Sequence, residues 1–246
     1  CTNGGTGSAT NVTLNLGSLA DNGGPTPTHL PGPASAAISA IPNGTTLSNN
    51  GGGISHNVGT VTVTNSTFSG NSATNEGGGI FTDSPSDTLT VTSSTFSENS
   101  ASFGGGIINV GTLNLAGTIC ATGISGDNCV NWGTLNDNGY NLSDDSTCTN
   151  GGTGSATNAT LNLDVLADNG GPTLTHLPGA GSAAIGAIPN GTTISNNGTS
   201  WSCNDVDTFT DQRGESRPVN TATACTAGAV EVELPPLCPS WTVTTA

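Results

Sequence analysis

The chain has 246 residues with a formal net charge of −15, and its only basic side chains besides three His are Arg213 and Arg217. Nothing here can neutralise a run of phosphates, so nucleic-acid binding and polybasic attachment to an anionic membrane are both excluded. Charged residues make up 8% of the chain against about 25% in an ordinary soluble domain, and no run of about 20 apolar residues offers a membrane span.

Gly (37) and Pro (13) bring the composition close to low complexity, but the apolar residues are organised. Alternating runs such as Thr60–Thr64 (TVTVT) and Thr88–Thr92 (TLTVT) are strand patterns, and no stretch carries a helical period. An all-β chain is expected. Met is absent and no secretion signal is legible, so a processed or partial segment of a longer chain is expected. Seven Cys without a CxxC argue for disulfides in an oxidising setting and against structural zinc. Sequons at Asn11, Asn43, Asn65, Asn141, Asn158, Asn190 and Asn197 are what an Asn/Thr-rich chain produces by chance.

In chain order, residues 1–50 form the end portion of a module that recurs at 148–198. Residues 1–51 and 148–198 differ at eight positions: Val12, Gly17, Ser18, Pro27, Pro33, Ala34, Ser39 and Leu47 and their partners. Residue 1 thus enters in mid-module. Residues 51–147 carry a shorter repeat. Gly51-Gly52-Gly53-Ile54 returns as Gly77–Ile80 and Gly104–Ile107, alternating with Thr67-Phe68-Ser69-Gly70-Asn71 and Thr95-Phe96-Ser97-Glu98-Asn99. Periods of about 22–28 residues, with strands and Gly turns but no helix, predict a β-solenoid with one coil per repeat. Equivalent strands then stack about 4.8 Å apart. The expected inward ladder is Val61, Val63 and Phe68 beneath Leu89, Val91 and Phe96, continued by Leu113, Leu115 and Ile119. Asn71 and Asn99 should stack with their amides bonded between coils. Outward Thr residues favour the strand without adding charge. A second copy of the module end (148–200), a disulfide-stapled terminal element (201–234) and the start of a further strand or module (235–246) follow.

GGGI alternating with TFSxNSA resembles the repeats of the chlamydial polymorphic outer-membrane proteins, which implies a parallel β-helix with an adhesive role. LADNGGPTPTHLPG and LADNGGPTLTHLPG, with Asp211-Gln212-Arg213-Gly214-Glu215-Ser216-Arg217-Pro218 and Cys225–Glu231, resemble the bacterial surface proteins that carry a "choice-of-anchor Q" domain. That resemblance implies a right-handed parallel β-helix on a bacterial surface or outside the cell. Where the family has Asp after Ile, this chain has Ser39 and Gly186.

An inverting glycosidase needs two carboxyl groups about 6.5–9.5 Å apart. Asp83/Asp87 and Asp144/Asp145 are the nearest pairs, and both read more simply as turns. Asp205, Asp207 and Asp211 are calcium candidates, without EF-hand spacing or its Gly. Asp211 and Glu215 are expected to pair with Arg213 and Arg217 in a structural cap. His29 and His176 occupy equivalent turns, and His56 stands alone. Trp132, Trp201 and Trp241 could stack on sugars or cover coil edges. Expected disulfides are Cys129–Cys148 and Cys203–Cys225, leaving Cys1, Cys120 and Cys238 unpaired or bonded between subunits. The whole predicts a non-catalytic structural or adhesive rod without a cofactor, its partners copies of itself stacked head to tail, and surface glycans or host surfaces as targets. A carbohydrate-binding or carbohydrate-cleaving β-helix is the alternative.

Overall fold

A computed structural model describes residues 16–20, 28–31, 53–57, 59–121, 123–204, 209–218 and 224–232. It is all-β, with no helix among the described residues. Strands β1 (Leu16–Ala20) and β2 (Thr28–Pro31) pair antiparallel, with Leu16 opposite Pro31 and Ala20 opposite Thr28. Leu163 opposite Pro178 and Ala167 opposite Thr175 repeat this pairing 147 residues later, so both module copies form the same hairpin.

Residues 54–143 build a parallel β-helix of four coils, each with three short strands. The first coil holds β3 (Ile54–His56), β4 (Thr60–Thr64) and β5 (Thr67–Ser69). The second holds β6 (Ile80–Thr82), β7 (Thr88–Thr92) and β8 (Thr95–Ser97). The third holds β9 (Ile107–Asn109), β10 (Thr112–Ala116) and β11 (Ile119–Cys120). The fourth holds β12 (Cys129–Asn131), β13 (Thr134–Asp137) and β14 (Leu142–Ser143). Like stacks on like, giving three four-stranded parallel sheets ordered β3-β6-β9-β12, β4-β7-β10-β13 and β5-β8-β11-β14. The Gly triplets are required where coils meet closely: a Cβ on Gly79 would lie 2.5 Å from the Gly106 carbonyl oxygen.

Inward columns form the core. Ile54, Ile80, Ile107 and Cys129 share one register, and Val61, Leu89, Leu113 and Leu135 another. Phe68 and Phe96 stack with ring centroids 4.8 Å apart. Next in that column comes Cys120, not Ile119, which corrects the expected ladder. The reason is the two-residue corner before each of the first three third-sheet strands. Asn65, Ser93 and Gly117 all adopt positive φ there, so Ile119 aligns with Thr95 and faces outward. The column from Val63 through Val91 and Leu115 ends on Asp137, and the Phe column ends on Ser143, so the interior turns polar in the last coil.

Asn71 Nδ2 donates to Asn99 Oδ1 at 2.9 Å, forming the Asn ladder. Two further amide contacts between coils were not expected: Asn109 to Asn131 at 2.7 Å and Asn136 to Asn114 at 2.9 Å. The outward face also departs from expectation. Thr90, Thr92, Thr95, Ser93 and Ser94 are fully buried. The described residues of 157–204, 209–218 and 224–232 fold back as an irregular layer over them, with a second hairpin of β15 (Thr193–Asn196) and β16 (Thr199–Ser202). Outward Ala116, Ile119 and Leu142 pack there against Leu161, Ala184, Ile188, Ile194 and Trp201 in a second apolar core.

Candidate functional site

The chemistry of the described residues concentrates in three places: the end of the coil stack, the joint between stack and outer layer, and a buried charge cluster. At the stack end, residues 144–156 cross the fourth coil. The Cys129–Cys148 disulfide fastens this loop. Asp137 holds it through three hydrogen bonds, from Asn150 N, Gly152 N and Ser155 Oγ, and accepts two more from Gly139 N and Asn141 Nδ2 of its own coil. Asp145 accepts from Asn128 N, Ser143 Oγ, Thr147 N and Thr147 Oγ1. Burial pushes both carboxyls up, but these donors outweigh it and hold both below the usual Asp value. Cys120 is a free buried thiol beside the disulfide. Burial, then the charges of Asp145 and Asp144, push its thiol far up and keep it protonated.

At the joint, His176 is buried, with Nδ1 2.7 Å from Asp164 O and Nε2 2.8 Å from Ser69 Oγ on the first coil. Asn196 Nδ2 donates to Val91 O and Thr92 Oγ1, both at 2.9 Å. Gly228 N donates to Gly117 O, and Ala229 N to Thr95 Oγ1. His176 is thus a docking residue.

The charge cluster buckles the end of the layer. Asp211 accepts from Arg213 N and Nε, and the two side chains form an ion pair at 2.8 Å. Arg217 is fully buried, donates to Thr226 O and Gly228 O, and pairs with Glu231 at 3.4 Å. The Arg217 guanidinium lies 5.8 Å from the centre of the Trp201 ring, which stacks on Phe209. Burial opposes charge on both partners: it lowers Arg217 and pushes Glu231 up to about 7 against the pull of Arg217. The expected role of Glu215 is corrected here. Its backbone bonds to Asp211, but its exposed side chain lies outside the cluster, and Glu231 supplies the second carboxylate. Its signal was present in the sequence at the end of the Cys225–Glu231 motif, but the 14 residues separating it from Arg217 hid the pairing.

The remaining candidates are dispersed. Asp83 accepts from Asn57, and Asp87 accepts from Ser84 N in the expected turn. His56 Nε2 stands 3.7 Å from Asp87. Asp144 accepts from Asn128 Nδ2 at 2.7 Å. Every one of these carboxylates is thus engaged by its own chain. Trp201 is buried in the outer layer, whereas Trp132 is 57% exposed at a corner of the fourth coil. The Cys203–Cys225 disulfide staples the terminal element. Cys1, Cys238, Asp205, Asp207, Trp241 and the side chain of His29 lie outside the described residues. Asp211, the third calcium candidate, is consumed by Arg213.

These features define a class: a short parallel β-helix, capped at one end and flanked by a docked outer layer. The two disulfides among its described residues favour a non-reducing setting. No helix among the described residues is long and apolar enough to cross a membrane. No family model, curated protein or solved structure matches the chain.

Proposed function

We propose that the chain is an extracellular structural or adhesive unit of a bacterial surface rod, built from repeated modules and without catalysis. The observation that carries this reading is the duplicated module. Its second copy closes a coil stack and covers the stack's flank, and the first copy forms the same hairpin. A chain that carries this piece twice is organised as a tandem of capped coil stacks, and near-identical modules suit end-to-end association with further copies. The carboxylates that a hydrolase would need are bonded within the fold, which favours a structural role over a cleaving one. The choice-of-anchor Q resemblance and the two disulfides support placement outside the cell.

Negative-stain electron microscopy tests it, with and without reductant. Thin fibres with a regular axial repeat are expected, and shortening on reduction would place Cys1 in a bond between subunits. Isolated rods a few nanometres long at every concentration would refute assembly. A second reading, carbohydrate binding, is favoured by the exposed Trp132 ring beside exposed Asn131. Glycan-array binding that is lost in Trp132→Ala would support it, and an empty array would remove it.

A further inference from the structure

Three sulfurs converge at the capped end. Cys120 comes from the third coil, Cys129 from the fourth and Cys148 from the crossing loop, and all three are buried. Their sulfur atoms lie within 4.8 Å of one another. Three thiolates at about 2.3 Å from one cation stand roughly 3.8–4.0 Å apart in tetrahedral or trigonal geometry. Opening the disulfide lets the Cys129 and Cys148 sulfurs separate towards that distance. Cys120 then needs to move by less than about 1 Å to complete the triangle.

We propose that in the reduced chain Cys120, Cys129 and Cys148 form a three-thiolate site for a soft, filled-shell cation such as Zn²⁺, Cd²⁺ or Cu⁺. Thiolate donors select such ions over hard cations, which seek oxygen. The chemistry balances in two steps. A dithiol closes to its own disulfide, or a phosphine takes the oxygen of a water molecule to become its oxide; either way two electrons break the Cys129–Cys148 bond and two protons, from the dithiol or the water, leave each sulfur a thiol. The three thiols then lose three protons to solvent as their sulfurs bind the ion. The consequence is mechanical. Cys148 belongs to the loop and the other two to the coil stack, so the ion fastens the same loop that the disulfide fastens. The stack end stays closed in either redox state. Spacing in the sequence hid the site, because its ligands come from three successive passes of the chain.

The full chain, reduced with a phosphine under inert gas, is titrated with Cd²⁺ and followed by sulfur-to-cadmium charge-transfer absorption. One equivalent is expected on reduced protein and none on oxidised protein. Partners beyond the ligands alone change metal affinity by about 10–100-fold, so removing one ligand in Cys120→Ser or Cys120→Ala should weaken binding by at least about 100-fold. Neither variant touches the native disulfide, so circular dichroism of their oxidised forms provides the folding control. Alkylation read by mass spectrometry should show Cys120, Cys129 and Cys148 protected together by Cd²⁺. Undiminished binding in the Cys120 variants, no binding, protection only of other Cys, or a reduced chain that stays unfolded with Cd²⁺ present would each overturn the proposal.

Discussion

Replacing Arg217 with Met tests the charge cluster most sharply. Arg217 is fully buried and Glu231 is 2% exposed, so solvent screens neither. Met fills similar volume but leaves the Glu231 carboxylate buried without its cation, and leaves Thr226 O and Gly228 O without a donor. Breaking a buried pair in this way costs about 3–5 kcal/mol. For a domain of this size about 1 kcal/mol shifts Tm by 2–4 °C, so a loss of roughly 6–20 °C is expected at pH 8. Pairing Arg217→Met with Glu231→Gln should recover much of this loss, because the amide oxygen still accepts from Thr226 N and no charge remains stranded. The single variant should also recover part of its loss at pH 5, where an unpaired Glu231 takes up a proton. Melting followed by circular dichroism reads all three proteins. A single variant within about 1 kcal/mol of the parent, or a double variant worse than the sum of the singles, would refute the account of a buried, mutually dependent pair.

Asp137 and Asp145 are held below their unfolded value, so the stability they give is complete above about pH 4 and is lost as pH falls through their folded values. Amides of residues 144–156 should lose exchange protection first on acidification, and Asp137→Asn should flatten that dependence. Glu231 has the opposite sign. Raised to about 7, it contributes stability at pH 5 that declines as pH rises through 7. A urea-melt series from pH 5 to 8 checks this, and Glu231→Gln should remove the slope. Phe96→Ala should cost about 3–5 kcal/mol by chemical denaturation, and Phe68→Ala at the partly buried end of the same column distinctly less. Gly228→Ala should detach the layer locally. Gly228 has φ of 95°, and its new Cβ would meet Ile119 Cδ1 at 2.5 Å, so faster exchange at Gly228 N and Ala229 N is the readout.

The solenoid was legible because its physics is local and repeated. GGGI and TFSxN recur at the coil period, and alternation in TVTVT and TLTVT names the inward side. Ile119 faces outward because the two-residue corner reverses the inward–outward alternation of the strand before it; the five-residue step from Val63 to Phe68 and from Val91 to Phe96, carried on from Leu115, falls on Cys120. The outer layer left almost no trace. It has little periodicity, and its docking bonds join residues over 100 positions apart, as His176 to Ser69 and Asn196 to Val91. Outward Thr looked solvated because Thr suits both a wet face and a face covered by hydrogen-bonding partners. Arg213 and Arg217 stood out as the only strong cations, so their cap was anticipated, but which carboxylate reached Arg217 depended on tertiary folding.

A stack of identical coils contains nothing that sets its own length, since each new turn binds the last as well as the one before. The outer layer supplies that limit. It touches the first coil at Thr67 and Ser69, the second at Thr90, Thr92 and Thr95, and the third at Asn114 and Gly117. Inserting or deleting one turn would displace some of these anchor points by about 4.8 Å, further than a hydrogen bond can stretch. The layer therefore works as a ruler laid along the helix, and it restricts gain or loss of single repeats to changes that carry a matching layer with them.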